Sequence, residues 1–440
     1  MDIRLQNLLE EIRSSYWFVP VLMTLSAIGL SVITTIIDQH LQIPVSRNFG
    51  PVFGGGPEGA RDLLTTVAGS MITVAGVTFS ITIVAFSQAS SQFGPRMLRN
   101  FMRDTGNQIV LGTFIATFIY CLLILRTVRS GASQAFTPNV SVTVGLVLSL
   151  ASLGVLIFFI HHTALSMQAP IVISELAGDL FSTIDRLFPE RLGSAQQAVT
   201  LSKPPELKGE GDPVTSKAEG YVLALDTDSL MKIAIDNDLI LGIEFQPGHF
   251  LVQGAVLVRV WPARRLNKQI AHKIRQTIVL GKRRTHTQDI EFAFEQLVEV
   301  AVRSLSPSIN DPFTVISCID WLGAALVRLV NREFPPGYRS DEAGNLRIIV
   351  REPLSFDRLV DIALNPIRRY AGESAGVRMR LLEVICKTAE QTSNRQRLQA
   401  LVNQAAIVKR SIYEELSEVE DRRVVEARYR EIIKVAGIQT

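Results

Sequence analysis

The side chains best suited to act in an apolar setting are a run of hydroxyls and glycines. Thr66, Gly69, Thr73, Gly76, Ser80, Ser87 and Ser91 recur at steps of three, four or seven residues, so a helix gathers them on one face. Two kinds of chemistry suit such a face. Small residues let helix backbones approach closely and form a packing seam. Hydroxyls repeated around a symmetry axis line a neutral, hydrated pore. The two are compatible if the seam packs symmetry copies around an axis. Phe79, Ile83 and Phe86 would then supply a hydrophobic constriction that gates by dewetting. Arg96, Arg99 and Arg103 follow the polar tail Ser87–Gln92 and would form a pore mouth that favours anions.

A second constellation is SPSINDPFT, Ser306 to Thr314. Asp311 is an N-cap by residue type, Pro312 suits a first helical position, and an apolar helix from Phe313 to Val330 is expected behind them. The same helix N-terminus, with Ser306, Ser308, Asn310 and Thr314 around it, would also suit an anion or polar ligand. Other chemistry is sparse. The glycines between Gly50 and Gly59 lack the strand before and the Gly-Lys-Ser/Thr after that a phosphate loop needs. His161 and His162 are adjacent, so on a helix they point apart, which suits interfacial snorkelling better than a metal pair. Cys121, Cys318 and Cys386 are far apart and fit reduced, structural thiols. Lys282, Arg283, Arg284 and His286 make a basic run that suits a solvated or membrane-facing surface. No paired acid and base, nucleophile elbow, metal cluster or nucleotide loop stands out, so no enzyme, metal or cofactor is expected.

These residues need elements to hold them. The 440-residue chain is 47% hydrophobic and only 20% charged, and its net charge of +3 gives no case for nucleic acid as a partner. Hydrophobicity concentrates in residues 1–165, where four spans are expected at about 17–37, 63–86, 109–125 and 140–160. The stretch Leu63–Pro95 carries no charged side chain, and as a helix it would outreach the roughly 30 Å hydrocarbon layer. No Asp, Glu, Lys or Arg lies inside any span, which argues against a carboxylate-driven transporter. Met1–Ser15 has the spacing of an amphipathic lead-in helix, and Tyr16, Trp17 and Phe18 form an aromatic belt before a retained anchor. Arg96, Arg99 and Arg103 mark the loop between spans two and three as cytoplasmic. Four spans then leave both termini and the C-terminal region inside.

Ala164–Phe188 is expected to be a helix leaving the membrane, followed by a polar linker to about residue 219. Residues 220–262 read as a small β module, with strands at Tyr221–Leu225, Leu239–Phe245 and Ala255–Val260 and a short helix inserted over Asp226–Asn237. Its PGHFLVQGAVL resembles the half-repeat of a lipoyl-type barrel-sandwich, but Lys232 falls in the inserted helix and not at a hairpin tip, which argues against a lipoylated lysine. Residues 263–440 read as mostly helical, with Leu346–Val350 as one more strand. The expected fold is an integral membrane α-helical region of four transmembrane helices, then a cytoplasmic α+β region with a barrel-sandwich-like module and a helical C-terminal part.

Three segments together resemble a known family: VAGSMITVAGVTFSITIVAFSQASSQFGPRMLRNF (67–101), PGHFLVQGAVL (247–257) and QDIEFAFEQLVEVAVRSLSPSINDPFTVISCIDWL (288–322). They are similar to the bacterial predicted membrane proteins grouped as domain of unknown function family 2254. Ser308 stands where the family pattern has Gly. The resemblance implies a multi-span protein of the bacterial inner membrane with a cytoplasmic C-terminal region, and no activity. From the residues, the leading expectation is a homo-oligomeric pore or ion channel whose partners are the bilayer and copies of itself. The other is a membrane-anchored scaffold or sensor whose cytoplasmic part binds a partner, with no transport activity.

Overall fold

A computed structural model describes residues 16–41, 53–94, 104–130, 136–188, 209–372, 374–415 and 419–437. The lead-in helix expected over Met1–Ser15 and the three arginines Arg96, Arg99 and Arg103 lie outside the described residues. The chain divides into two units, Met1–Ile171 and Val172–Thr440.

The first unit is built from α1 (Phe18–Leu41), α2 (Gly56–Phe93), α3 (Thr105–Thr127) and α4 (Asn139–Ser166). The hub is α3, on which each of the other three packs. Its sequence explains this role. Val110, Leu111 and Gly112 are consecutive and all buried, so α3 is covered on more than one side, as a helix apolar all round must be. Gly112 admits α1: a Cβ there would meet the Met23 sulfur at 2.6 Å and the Pro20 Cα at 3.1 Å. A one-sided pattern marks α2, whose Leu64, Ala68, Met71, Ala75, Thr78 and Thr82 are buried at helical spacing. Proline in the first turn starts α2, and Gly94, at φ +104°, ends it in a conformation that few other residues adopt.

Polar groups tie the helices near both ends. At one end Asp38 of α1 accepts the Val140 and Ser141 N–H groups, each at 2.9 Å, and the Ser141 hydroxyl at 2.6 Å. The Tyr120 hydroxyl of α3 donates to the Ser141 carbonyl at 3.0 Å and lies 3.0 Å from the Thr34 hydroxyl. At the other end Asp104 caps α3 by accepting the Gly106 N–H at 2.9 Å, and its second oxygen lies 2.6 Å from His162 Nε2 of α4. His162 therefore does not simply snorkel: it is paired, and Phe158 stacks on its ring at 5.1 Å. Gly106 makes room for the pairing, because a Cβ there would stand 2.7 Å from His162 Nε2.

The second unit starts within α5 (Ala169–Leu187), which a break at Met167–Gln168 separates from α4. Strands β1 (Asp212–Thr215), β2 (Gly220–Leu225), β3 (Ile240–Ile243), β4 (Phe250–Leu251), β5 (Val256–Trp261), β6 (Ile278–Gly281), β7 (Tyr338–Ser340) and β8 (Leu346–Val350) form two sheets. One runs β1-β5-β3-β8-β7, with β3 and β8 parallel; the other is β4-β2-β6. Val222 and Leu251 of the smaller sheet share a buried core with Leu241, Val258, Val260 and Ile348 of the larger. Helices α6 (Thr227–Asp236) and α7 (Lys268–Gln276) add Leu230, Ala234, Ile270 and Ile274 to it. Asp226 caps α6 by accepting the Ser229 N–H, as the inserted-helix reading expected.

The strands extend beyond residues 220–262. β1 lies in the stretch read as linker, where Pro213 weakens the strand signal but is tolerated on an edge strand. β6 follows directly on α7, and β8 pairs with a strand roughly a hundred residues earlier, contacts no local pattern announces.

The helices α8 (Ile290–Ser304), α9 (Pro312–Leu329), α10 (Phe356–Tyr370), α11 (Ala375–Glu390), α12 (Arg395–Glu415) and α13 (Val419–Val435) complete the unit. Among the described residues five helices, α1 to α4 and α9, are long and apolar enough to cross a membrane, one more than expected. Half-buried α9 packs on α8 and α11, and its Asp320 accepts from Arg380 of α11 at 2.8 Å.

Replacing Asp38 with Ala strips three hydrogen bonds from the start of α4. The expected cost is about 2 kcal/mol, seen as a lower melting temperature of the detergent-solubilised chain, with Asp38→Asn intermediate.

Candidate functional site

The face proposed from spacing is present and points outward. Thr66, Gly69, Thr73, Gly76, Ser80, Ser87 and Ser91 are all exposed in the single chain. At 100° per residue they centre roughly opposite the buried Leu64–Ala75 face of α2. A Cβ built at Gly69 or Gly76 would have nothing within 4 Å. The hydroxyls bond to their own helix: Thr66 donates to the Asp62 carbonyl at 2.7 Å, Thr73 to Gly69 at 2.8 Å, Ser80 to Gly76 at 2.9 Å and Ser91 to Ser87 at 3.0 Å. Val77 and Val84 share this face, 55% and 68% exposed, and sequence reasoning passed over them because they are neither small nor polar.

The three residues expected to form a constriction do not share one face of α2. Phe86 turns toward its own bundle and meets the Tyr16 ring edge-on at 6.1 Å. Phe79 sits about 100° around the helix from the centre of the stripe, and only Ile83 borders it. The outward faces of α1 and α4 differ in kind, carrying Val21, Leu25, Ile33, Leu150, Ile157 and Ile160, all exposed.

The second constellation resolves as a helix cap. Asp311 accepts the Phe313 and Thr314 N–H groups, each at 3.1 Å, and the Thr314 hydroxyl at 2.6 Å. These bonds, the Thr314 hydroxyl foremost, hold the Asp311 carboxyl below its ordinary pKa. The N–H groups an anion would need are therefore taken. Ser306 and Ser308 lie 3.2 Å apart through their hydroxyls, and Asn310 adopts φ +46°. Of the five residues, Asn310 lines a recess of about 510 Å³, with Pro307, Pro312, Tyr370 and Ser374 also on its wall.

A site that spacing did not reveal joins two of the quoted motifs. Gly248, in the Pro-Gly-His turn, has φ +91°, and a Cβ on it would lie 2.0 Å from an Asp289 oxygen. Asp289 is buried, caps α8 through the Phe292 N–H at 2.9 Å, and takes a two-pronged ion pair from Arg284 at 2.7 and 3.0 Å. Arg284 also reaches Glu295 at 2.7 Å, so it leaves the solvated basic run to which the sequence assigned it. Gln288 pairs with the Leu225 backbone through both ends of its amide, at 2.8 and 3.2 Å. The geometry is that of a clasp between β module and helices: every polar group named here has its partner.

Cys121, Cys318 and Cys386 are buried and unpaired. Cys386, Glu390 and Glu431 bring a thiol and two carboxylates within 4.8 Å of one another. Burial, and then the two carboxylates, push the Cys386 thiol up to about 11, and Arg428 pairs with Glu431 at 2.9 Å. The cluster thus already holds a cation.

Residues 13–387 match the family described as "Predicted membrane protein (DUF2254)". The chain belongs to this family. Uncharacterized proteins of Mycobacterium bovis and Mycobacterium tuberculosis are each 30% identical over 444 residues, an alignment covering 99% of this chain and 84% of the relative. No solved structure matches the chain. Family and apolar helices together make it a membrane protein.

Two substitutions test the clasp and the cap. Gly248→Ala forces a Cβ into a carboxylate at a left-handed position and should cost more than about 2 kcal/mol, read as early melting of the second unit. Asp311→Ala should cost about 1 kcal/mol at neutral pH. Because the native Asp311 pKa is depressed, its contribution is full above the unfolded value and fades as pH falls through the native one. Asp311→Asn should therefore flatten the loss of stability below about pH 4.

Proposed function

We propose that the chain assembles into a homo-oligomeric membrane pore or ion channel, with the outward face of α2 lining the axis. The observation that carries this reading is the contrast between outward faces. Large aliphatics dominate the exposed surfaces of α1 and α4, where Gly29 and Gly154 are single openings. In contrast, α2 gathers glycine, serine and threonine in a continuous stripe with open space above Gly69 and Gly76, and its own large aliphatics Ile72, Val77, Ile81, Ile83 and Val84 lie on or beside that stripe. A constriction on this face falls to Val77, Ile83 and Val84, since Phe86 packs inward. In this reading α1 to α4 span the bilayer and α9 is a core helix of the second unit, supported by its Asp320–Arg380 ion pair. With four spans and the arginine-rich loop after α2 on the inner side, the termini and the second unit would be cytoplasmic. The shared core of the two sheets supports a barrel-sandwich-like module that would gate the pore. The reading carries no catalytic step and needs no cofactor.

One observation favours the alternative of a membrane-anchored scaffold or sensor. Four of the stripe hydroxyls are bonded to their own helix, which suits a dry seam between copies as well as a wet wall. The experiment is ion flux from liposomes holding the purified chain, with potassium and chloride gradients in turn. Ser80 is exposed, so Ser80→Leu leaves single-chain packing intact. Selective flux lost in Ser80→Leu, with assembly retained, is the expected result. Unchanged flux in the variant overturns the pore, and a tight bilayer with assembly weakened by Ser80→Leu supports the seam.

A further inference from the structure

The smaller sheet of the second unit carries an apolar and basic surface that its own fold does not use. Phe250 and Val252 are 56% and 59% exposed, although Leu251 between them fills the core. Tyr221 pairs in register with both Phe250 and Gly281, and its ring meets that of Phe250 at 5.1 Å. Lys282 and Arg283 follow Gly281 directly and are exposed, and among the described residues no ion pair takes either. Arg284, next along, turns inward to Asp289 and Glu295 instead. Lys217 and Glu219, in the turn before β2, are exposed too.

We propose that this face, Phe250, Val252, Tyr221, Lys282 and Arg283, docks on a bilayer surface bearing anionic headgroups. Apolar tips flanked by unpaired cations are the pattern of an interfacial membrane contact: the tips enter the acyl boundary and the cations meet phosphate. Two exposed apolar side chains and one ring are too little for a stable protein interface, which takes about 800 Å² from each partner. A bilayer asks for less, because a chain anchored in a membrane meets it at high effective concentration.

The test uses the full chain in liposomes. All three native cysteines are buried, so a dye on Val252→Cys reports this face alone. Nitroxide-bearing lipids should quench the dye when phosphatidylglycerol is present and much less in phosphatidylcholine alone. Lys282→Gln with Arg283→Gln should lower the ratio of docked to undocked chain roughly 30-fold, and Phe250→Ser should lower it as well with the charges intact. A dye on Glu342→Cys, in the exposed turn before β8, should stay unquenched. Equal access of aqueous iodide to the Val252→Cys dye in both lipids overturns the proposal. So does a dye shielded from iodide and nitroxide alike, which would mean that protein covers the face.

Discussion

A helix cannot satisfy its own first N–H groups, and a bilayer offers no water to do it. The membrane unit meets this constraint where α4 begins. Asp38 reaches across from α1 to hold two of those groups and the Ser141 hydroxyl, and Tyr120 of α3 takes the Ser141 carbonyl. Three helices are thereby fixed in relative height at one end. Asp104 does the equivalent at the other, capping α3 with one oxygen and meeting His162 of α4 with the other. The apolar packing between the ends lacks direction of its own, since lipid is as apolar as leucine. Register in this bundle comes from its few polar residues.

With the inner contacts fixed in this way, the outer face of α2 is left over. Its small residues are not needed by the chain's own core, which Leu64, Ala68, Met71 and Ala75 already provide. Open glycine faces on a helix that packs well on its other side are the ground for reading an assembly. The second unit shows the opposite economy. The turn at Gly248 and the start of α8 at Asp289 are fitted so closely that no side chain can stand between them, and polarity there is spent on joining layers of one chain.

Features whose cause lies within a few residues were legible in the sequence. The caps Asp226 and Asp311, the strand Leu346–Val350 and the outward hydroxyl face of α2 all follow from neighbours along the chain. What escaped depends on residues far apart. Asp104 and His162 are 58 residues from each other, Asp38 and Ser141 are 103, and β3 reaches β8 across a whole helical segment. Arg284 looked like one of three surface cations because its buried partner Asp289 is known only once the turn closes. Phe86 is a different kind of miss. Its place on the buried side of α2 follows from the 100° step alone, and its bulk drew attention where its angle should have.

The length of α2 has a mechanical consequence. Its 38 residues make a rod of about 57 Å, against 23 residues and about 35 Å for α3, on which it rests. Its buried residues run from Ala60 to Phe93, so the rod is gripped along its whole length. A tilt of about 5° about its midpoint moves each tip by roughly 2.5 Å, comparable to the radius of a bare ion's surroundings. Such a tilt would have to carry along whatever packs on Ala60 at one tip and on Phe93 at the other, so the length of α2 ties its motion to its neighbours and does not free its ends.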